Sequence, residues 1–236
     1  MNLQRLDKII STQLNISRSV ARKIIRYGKT TVDGQIVRDP SFTADPTLSK
    51  IEHRGQPIEY KEHIYLLMNK PKGVLSASED KSRETVVDLV PEALRRNGLF
   101  PVGRLDRDTK GLLLITDDGD FAHRVINPKK KLVKTYKVTL DGKINEEIIR
   151  KFSEGIILAD GTKCRPAILK ELDENTAEIQ ITEGKYHQIK RMFGTVNLGV
   201  NELERTAVGG LKLPCNLPCG ECHELSKEEI ILIFSN

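Results

Sequence analysis

Apolar residues recur at every third or fourth position at the start of the chain, where Leu3, Leu6, Ile10 and Leu14 follow one another. This spacing is typical of a helix with one apolar face, because residues three and four apart lie on the same side. The pattern predicts a short amphipathic helix that packs into a core.

A second helix and a β-hairpin are predicted directly afterwards. The helix begins after Ser17 as its N-cap and ends at Gly28, a residue that adopts positive φ without strain. The residues predicted to face inward on this helix are Val20, Ile24 and Ile25. Asp33-Gly34 then separates the β-prone segments Thr31-Val32 and Gln35–Val37, which predicts a hairpin with a type I′ turn.

The segment of residues 39–62 has mixed charge and no sustained periodicity. Its turn-forming positions are Asp39-Pro40, Asp45-Pro46, Gly55 and Pro57. Such a composition favours loops, and its latter part is interpreted as a connector. We therefore predict an N-terminal module of residues 1–60 and a second domain of residues 61–236.

The second domain mixes strand and helix patterns. The predicted strands are Ile64–Asn69, Leu112–Thr116, Tyr136–Leu140, Pro166–Lys170 and Ala177–Ile181. The predicted helices are Asn145–Glu154, a stretch within Tyr186–Leu198, and Ser226–Phe234, with Ser226 and Glu229 as a capping box. Alternating apolar and polar positions indicate strands with one solvated face, hence a mixed, largely antiparallel sheet. The fold class is α+β, with a small αα-β-hairpin module before this sheet.

Composition indicates a soluble globular protein. Of its 236 residues, 38% are hydrophobic and 30% are charged. The apolar runs Leu112–Ile115 and Ile230–Phe234 are far too short to cross a bilayer. Charged residues interrupt the first ten positions, so no secretory signal is visible. We expect a cytoplasmic protein that does not associate with membranes.

Positive charge is concentrated at the N-terminus. Residues 1–29 contain seven Lys and Arg against one acid, Asp7, a local charge of +6 in a chain whose net charge is +5. Arg18, Arg22 and Arg26 are spaced four apart and form one stripe on the second helix. This field suits a polyanion such as RNA, although a solvated basic face would have the same composition.

The segments RLDKII and ISRSVARKIIRYGKTTVDGQIV, within residues 2–55, resemble the S4 RNA-binding module. The resemblance implies that the arginine stripe lies against the RNA backbone. Physical chemistry supports this contact, since arginine pairs bidentately with phosphate oxygens. The RNA-binding residues expected in this module are Arg5, Arg18, Arg22 and Arg26.

Asp106 stands out in the second domain, within the segment GRLDRDTKGLLL of residues 103–114. Arg104, Arg107 and Lys110 surround it, and an apolar strand follows. A carboxylate among cations stays ionised at neutral pH and suits a nucleophile or a base. Taken alone, this pattern equally fits a surface aspartate in an ordinary ion pair.

The same segment resembles the catalytic signature of the pseudouridine synthases, in which the essential aspartate occupies the position of Asp106. Four further segments resemble motifs of that family in the same order: LLMNKPKG (Leu66–Gly73), KTYKV (Lys134–Val138), GKYHQIKRMF (Gly184–Phe193) and LERTAVGGLKL (Leu203–Leu213). The segments TDDGDFAHRVINPKKKLVKTY and EGKYHQIKRMF are most similar to the small-subunit ribosomal RNA synthases. These enzymes act on a uridine of 16S rRNA, at position 516 in the usual numbering.

The resemblance assigns roles to individual residues. Asp106 attacks the target nucleotide covalently or helps to eliminate a sugar proton, and Tyr136 stacks on the target base. Lys190 is the cation paired with Asp106, with Arg191 as the second choice. Arg104 and Thr109 shape the Asp106 loop and meet phosphate. Basic side chains expected to contact the RNA backbone in this domain also include Lys134 and Arg191.

The reaction changes neither redox state nor composition, so no cofactor is expected. The expected partner is 16S rRNA, naked or within a partly assembled small subunit, and the enzyme is expected to act as a monomer. Two other functions remain open: a synthase for 23S rRNA, and a non-catalytic RNA-binding assembly factor. The second would need basic surfaces but neither Asp106 nor Tyr136.

Cysteine and histidine positions offer a competing interpretation. Cys215, Cys219, Cys222 and His223 have the spacing of an iron–sulfur or zinc site. They follow all the other motifs, close to the C-terminus, and we expect no metal there. His123 and His187 are expected to have structural roles.

Overall fold

The computed structural model describes residues 2–235. The chain forms two compact units, the first comprising Met1–Ile64 with Ala93–Gly98, and the second Tyr65–Glu92 with Leu99–Asn236. Residues 93–98 thus belong to the first unit although they follow part of the second in sequence.

The first unit contains two helices and six short strands. Its elements are β1 (Gln4–Arg5), α1 (Leu6–Gln13), α2 (Arg18–Arg26), β2 (Thr30–Val32), β3 (Gln35–Ile36), β4 (Thr43–Ala44), β5 (Ile51–His53) and β6 (Gln56–Pro57). Four strands form a sheet in the order β3-β2-β5-β6, and β1 pairs with β4. Asp33 and Gly34 have φ values of 51° and 80°, as a type I′ turn requires. The predicted hairpin is confirmed.

The inward faces of the two helices follow the prediction in part. Leu6, Ile10 and Ile25 are fully buried as predicted. Leu3, by contrast, lies before α1 and is 60% exposed, and Val20 on α2 is 42% exposed. Ser17 caps α2 as predicted, since its side chain accepts from the Val20 amide. Ala21, which was not predicted to face inward, packs into the same core as Leu6 and Ile10.

The second unit contains nine strands and four α-helices within the described residues. In chain order these are β7 (Tyr65–Lys70), β8 (Phe100–Pro101), β9 (Lys110–Thr116), α3 (Gly119–Ile126), β10 (Lys134–Leu140), α4 (Glu146–Glu154), β11 (Ile168–Asp173), β12 (Thr176–Ile181), α5 (Gln188–Gly194), β13 (Val200–Val208), β14 (Leu211–Lys212), β15 (Cys222–Glu224) and α6 (Lys227–Ile233). Single 3₁₀ turns occur at Glu92–Leu94 and Pro128–Lys130.

These strands form one sheet in the order β11-β12-β10-β13-β9-β7-β15, with β14 beside β13 and β8 beside β9. β13 and β9 are parallel, whereas the other recorded strand pairs of this sheet are antiparallel. The predicted α+β class and largely antiparallel sheet are confirmed. β13 and α3 were not predicted. β13 pairs with β9 just after the Asp106 segment. This pairing joins Glu204 to Lys110 and Arg205 to Gly111, which are far apart in the chain.

An apolar core packs against one face of the central strands. It is formed by Leu67, Leu112 and Leu114 from the sheet, with Phe121 and Val125 from α3 and Ile233 from α6. The capping box of Ser226 and Glu229 starts α6 as predicted, with both of its hydrogen bonds present. Within residues 2–235, no helix is long and apolar enough to traverse a lipid bilayer.

Candidate active site

A buried lysine donates hydrogen bonds to the backbone of the loop that contains Asp106. Lys70, the last residue of β7, is fully buried. Its ammonium donates to the carbonyls of Pro71 at 2.9 Å, Thr109 at 3.1 Å, and Asp106 and Arg107 at 3.4 Å. Burial lowers the pKa of Lys70 to about 8, and the nearby Asp108 and Asp106 charges oppose that shift. One side chain therefore fixes four carbonyl groups at and beside the loop.

Two further contacts fasten the loop to the segment after β7. The Ser76 hydroxyl donates to the Leu105 carbonyl at 2.9 Å, and the Leu105 amide donates to the same hydroxyl at 3.1 Å. The Gly73 amide donates to the Arg107 carbonyl at 2.7 Å, and the Arg107 guanidinium returns a bond to the Gly73 carbonyl at 3.0 Å. The backbone on either side of Asp106 is thus fixed before any substrate arrives.

The backbone geometry at Gly111 requires a glycine directly after the Asp106 loop. Gly111 has a φ of +102°, and a Cβ built on it would lie 2.3 Å from the carbonyl oxygen of Arg205. It is the point at which β9 lies parallel to β13, where Gly111 pairs with Arg205. A side chain here would separate the two strands and displace Asp106.

The Asp106 carboxylate is partly accessible and has a histidine beside it. Its side chain is 28% exposed, and its Oδ1 lies 3.6 Å from Nε2 of His187. Among residues 2–235 no recorded hydrogen-bond donor occupies either carboxylate oxygen. His187 has a left-handed backbone with φ of 47° just before α5, and its ring stacks on Tyr186 with centroids 3.9 Å apart. The structure places His187 at the site, where the sequence had suggested a structural role.

The predicted ion pair between Lys190 and Asp106 is not formed. The Lys190 ammonium lies 2.6 Å from both carboxylate oxygens of Asp108, and the Arg191 guanidinium binds Asp160. The hydrogen bond from Lys190 lowers the pKa of Asp108. The physical reason is positional, because α5 begins at Gln188 and thereby presents His187, rather than the following cations, to Asp106.

Tyr136 and Asp106 share the wall of one cavity, which opens to solvent and has a space of about 420 Å³. Tyr136 lies on β10 and is 8% exposed. Other residues in this wall are Arg104, Thr109, His187, Ile189 and Leu203. The structure thus brings together Asp106, Tyr136, Arg104 and Thr109, which are 32 positions apart at most in the chain.

Thr109 has a buried hydroxyl with no hydrogen-bond partner among the described residues. Thr109 is 1% exposed and stands in the cavity wall. Its contact with phosphate stays a prediction. A buried hydroxyl without a partner costs about 1–3 kcal/mol, which is a cost typical of functional sites. Arg104, by contrast, is exposed at the cavity mouth.

Comparison with known proteins identifies the family to which the chain belongs. Residues 64–195, which contain Lys70, Asp106, Tyr136 and Lys190, match the profile described as RNA pseudouridylate synthase. The chain belongs to the RNA pseudouridylate synthase family. Residues 4–47 match the S4 domain, so the enzyme carries an S4 module at its N-terminus.

Relatives resemble this pseudouridine synthase over nearly its full length. It is 39% identical to the ribosomal small subunit pseudouridine synthase A of Escherichia coli (strain K12), covering 96% of this chain and 98% of that protein. It is 41% identical to an RNA pseudouridine synthase of Bacillus subtilis (strain 168) described as uncharacterized, covering 97% and 98%. A crystal structure of a pseudouridylate synthase matches with a TM-score of 0.69 at 34% identity, covering 97% and 99%. The chain is therefore an isomerase that modifies RNA.

The arginines of the S4 module surround a buried carboxylate. Asp7 is fully buried and accepts hydrogen bonds from Arg18 at 2.6 Å, Arg22 at 2.9 Å and Arg5 at 3.2 Å. Burial raises the pKa of Asp7, but these three hydrogen bonds outweigh it and hold the pKa well below its ordinary range. Arg18 and Arg22 remain about half exposed, so Asp7 orients their outer edges while Arg26 stays exposed.

The cysteine-rich segment of the synthase contributes a strand to the central sheet. Cys222 and His223 lie on β15, which pairs with β7, and all four cysteines are free thiols. Burial raises the pKa of Cys222 to about 11, and His223 contacts Glu229 at 3.2 Å. Within the part of the chain that the structure describes, no group of three or more His, Cys, Asp or Glu residues is arranged to hold a metal.

Two residues that shape this site, Lys70 and Arg205, were not singled out from the sequence, and His187 was given only a structural role. All three lie inside recognised motifs, which are LLMNKPKG, LERTAVGGLKL and GKYHQIKRMF. Arg205 is 5% exposed, and its Nε donates to the Leu112 carbonyl at 2.7 Å. No local pattern indicated that this charged residue would be buried beside the Asp106 segment.

Proposed function

We propose that this synthase converts one uridine of 16S rRNA, at position 516, into pseudouridine, with Asp106 as the nucleophilic carboxylate. The observation that carries the proposal is the shared cavity of Asp106 and Tyr136, in a chain 39% identical to a ribosomal small subunit pseudouridine synthase A. The alternative of a non-catalytic assembly factor is set aside by the family assignment.

The chemistry requires one bond to be exchanged for another. The bond between C1′ of ribose and N1 of uracil breaks, the base turns, and a bond between C1′ and C5 forms. C5 loses a proton and N1 is protonated, so the product is an isomer of the substrate and no cofactor is required. Asp106 either forms an ester-like adduct with the nucleotide or removes a sugar proton, and both routes need an ionised carboxylate with free lone pairs. The absence of recorded donors on Asp106 among residues 2–235 suits either route.

Tyr136 supplies the surface for the displaced base. A uracil removed from its stack loses stacking energy, and an aromatic face in the cavity restores part of it. Because Tyr136 is only 8% exposed and lies on a strand paired on both sides, with β12 and β13, its ring is held in place before the base arrives. The phenol and the Asp106 carboxylate then face the same nucleotide.

RNA binding is assigned to basic side chains on each unit. In the S4 module these are Arg5, Arg18, Arg22 and Arg26, and in the catalytic unit Arg104 and Lys134. Arg191 is bound to Asp160, which makes it the weakest of the proposed backbone contacts. The synthase acts as a monomer, on naked 16S rRNA or on a partly assembled small subunit, in the cytoplasm.

A second target, 23S rRNA, is compatible with the same catalytic residues. Mapping pseudouridine across both rRNAs, in a strain that lacks the gene, separates the two. Loss of a single pseudouridine at position 516 of 16S rRNA supports the proposal, and loss of a site in 23S rRNA with 16S rRNA unchanged overturns it.

The role of Asp106 is tested by returning variants to that strain. Asp106→Asn is expected to leave the site unmodified while RNA affinity stays within about twofold, because the substitution keeps the shape and removes the nucleophile. Asp173→Asn, an exposed acid on β11, is the matched control and restores the modification. Product formation by Asp106→Asn would exclude the carboxylate as the reacting group.

A further inference from the structure

A second cavity adjoins the first and has an unusual charge. Its space, which opens to solvent, is about 710 Å³, and Tyr136, Arg104 and Gly184 line both cavities. Its apolar wall is formed by Val102, Leu114, Val125, Ile126 and Val208. Two further cations, Lys134 and Arg205, lie in the same wall. An apolar chamber beside the reacting centre therefore contains buried positive charge.

Arg205 is the more deeply buried of these two cations. It is 5% exposed, and its Nε donates to the Leu112 carbonyl at 2.7 Å. No carboxylate is recorded within ion-pair distance of its guanidinium among residues 2–235, and no acceptor is recorded for its two terminal amino groups. Buried arginines are ordinarily paired, since an unpaired buried charge is costly. The free edge of Arg205 indicates a partner that is not part of the chain.

Lys134 adds a second charge of the same sign. Its ammonium donates to the Leu132 carbonyl at 3.0 Å. Burial, followed by the charge of Arg205, lowers the pKa of Lys134 to about 8. Two cations that disfavour each other in a partly desolvated space are stabilised together by an anion.

The acid in the wall of this cavity is already engaged. Glu183 accepts from the Gln188 amide and from the Arg165 backbone at 2.9 Å, and Lys185 lies 3.2 Å from its other oxygen. Glu183 is therefore paired with Lys185, and no ion pair joins it to Lys134 or Arg205 among the described residues. The cavity keeps an excess of positive charge.

We propose that this second cavity is a phosphate-binding subsite, in which Lys134 and Arg205 hold an RNA backbone phosphate that flanks the target uridine. The proposal rests on the proposed function, because it takes the nucleotide on Tyr136 to be part of an RNA chain. A phosphodiester matches the site, since guanidinium and ammonium groups both bind phosphate oxygens and the apolar wall strengthens the attraction by excluding water. The subsite holds the backbone while the base turns, so it acts on substrate position and not on bond exchange.

The first test compares charge at two positions of the same strand. Lys134→Gln is expected to weaken RNA binding about tenfold, with a salt slope shallower by about one phosphate contact, and Lys134→Arg restores both. Lys137→Gln is the matched control, because Lys137 is exposed on β10 and an odd separation places it on the other face of the strand. Binding is measured to transcribed 16S and 23S rRNA in the Asp106→Asn background, where no product forms. Equal losses for Lys134→Gln and Lys137→Gln would overturn the subsite.

The second test locates the phosphate. An RNA oligonucleotide carries a neutral methylphosphonate on the 5′ or 3′ side of the target uridine. One of the two modified oligonucleotides is expected to bind the wild-type chain about tenfold more weakly than the unmodified RNA. The Lys134→Gln variant is expected to bind that oligonucleotide and the unmodified RNA equally, since the variant already lacks the contact with this phosphate. If the effects of Lys134→Gln and of the methylphosphonate multiply at both positions, Lys134 contacts the RNA elsewhere. These binding results do not depend on turnover. If the enzyme did not modify 16S rRNA, the proposed function would be wrong, but the evidence for the phosphate subsite would be unaffected.

Discussion

The imidazole of His187 lies against the carboxylate of Asp106, with 3.6 Å between Nε2 and Oδ1. His187 is itself held by stacking on the exposed ring of Tyr186. The carboxylate proposed as the nucleophile therefore has an imidazole beside it, where a permanently charged cation was expected from the sequence.

His187→Gln is expected to lower kcat about tenfold with little change in KM, because the imidazole orients Asp106 and does not hold the RNA backbone. The matched control is His123→Gln, an exposed position on α3. Steady-state pseudouridine formation with RNA in excess gives kcat, and its dependence on RNA concentration gives KM. A pure increase in KM would instead place His187 among the RNA contacts.

The pair of Lys190 and Asp108 predicts shared effects on catalysis. Lys190→Met and Asp108→Asn are each expected to lower kcat several-fold, and the double variant no further, since both changes release the same side of the Asp106 loop. Their effect on the free energy of unfolding is expected to stay below about 1 kcal/mol, because the Asp108 side chain is 69% exposed. A far larger loss for Lys190→Met than for Asp108→Asn would restore the pairing with Asp106 that the sequence suggests.

Lys70→Met is expected to reduce both stability and activity. It leaves four carbonyl groups without their shared donor, which costs about 2 kcal/mol in the free energy of unfolding and loosens the loop of Asp106. Lys72→Met, two residues further along at an exposed position paired with Glu202, is the control and is expected to change stability by less than about 0.5 kcal/mol. Urea unfolding measures both variants, and equal stabilities for the two would contradict the anchoring role of Lys70.

The buried Asp7 predicts an acid-dependent stability of the S4 module. Because its pKa is lower in the folded chain than its ordinary value of 3.8, its contribution is fully present above pH 3.8 and is lost as pH falls below that value. Asp7→Asn is expected to lower the free energy of unfolding by about 1–3 kcal/mol near pH 7, a range that allows for the half-exposed arginines. The free energy of unfolding of the variant is also expected to depend less on pH in acid. Unfolding followed from pH 6 to pH 2 checks this, and parallel curves for both proteins would refute it.

The three stripe arginines are expected to separate by role. Arg26→Ala should weaken RNA binding and flatten its salt dependence without changing stability, because Arg26 is exposed and lies outside the Asp7 cluster. Arg18→Ala and Arg22→Ala should affect RNA binding and stability together, since both bind Asp7. Salt titrations of RNA affinity, paired with thermal unfolding, distinguish the two classes. An Arg26→Ala protein with the wild-type salt slope would show that this side chain faces away from RNA.

Signals confined to a few neighbouring residues were sufficient for much of the fold. Asp33-Gly34 gave the hairpin because its two residues supply the positive φ values themselves. Ser226 and Glu229 gave the start of α6 because a capping box closes within one turn. β13 was missed, since its partners β9 and β10 are distant in sequence and no local pattern names them.

By itself the sequence determined the family, the α+β class and the identity of Asp106 and Tyr136 as residues of one motif set, because those depend on residue types at fixed spacing. Only the tertiary structure decided which side chain stands beside Asp106. The start of α5 at Gln188 turns His187 toward that carboxylate and sends Lys190 to Asp108. Burial likewise turned Lys70 and Arg205 from ordinary cations into an anchor and a candidate phosphate ligand, since the free energy of a charge depends on what surrounds it.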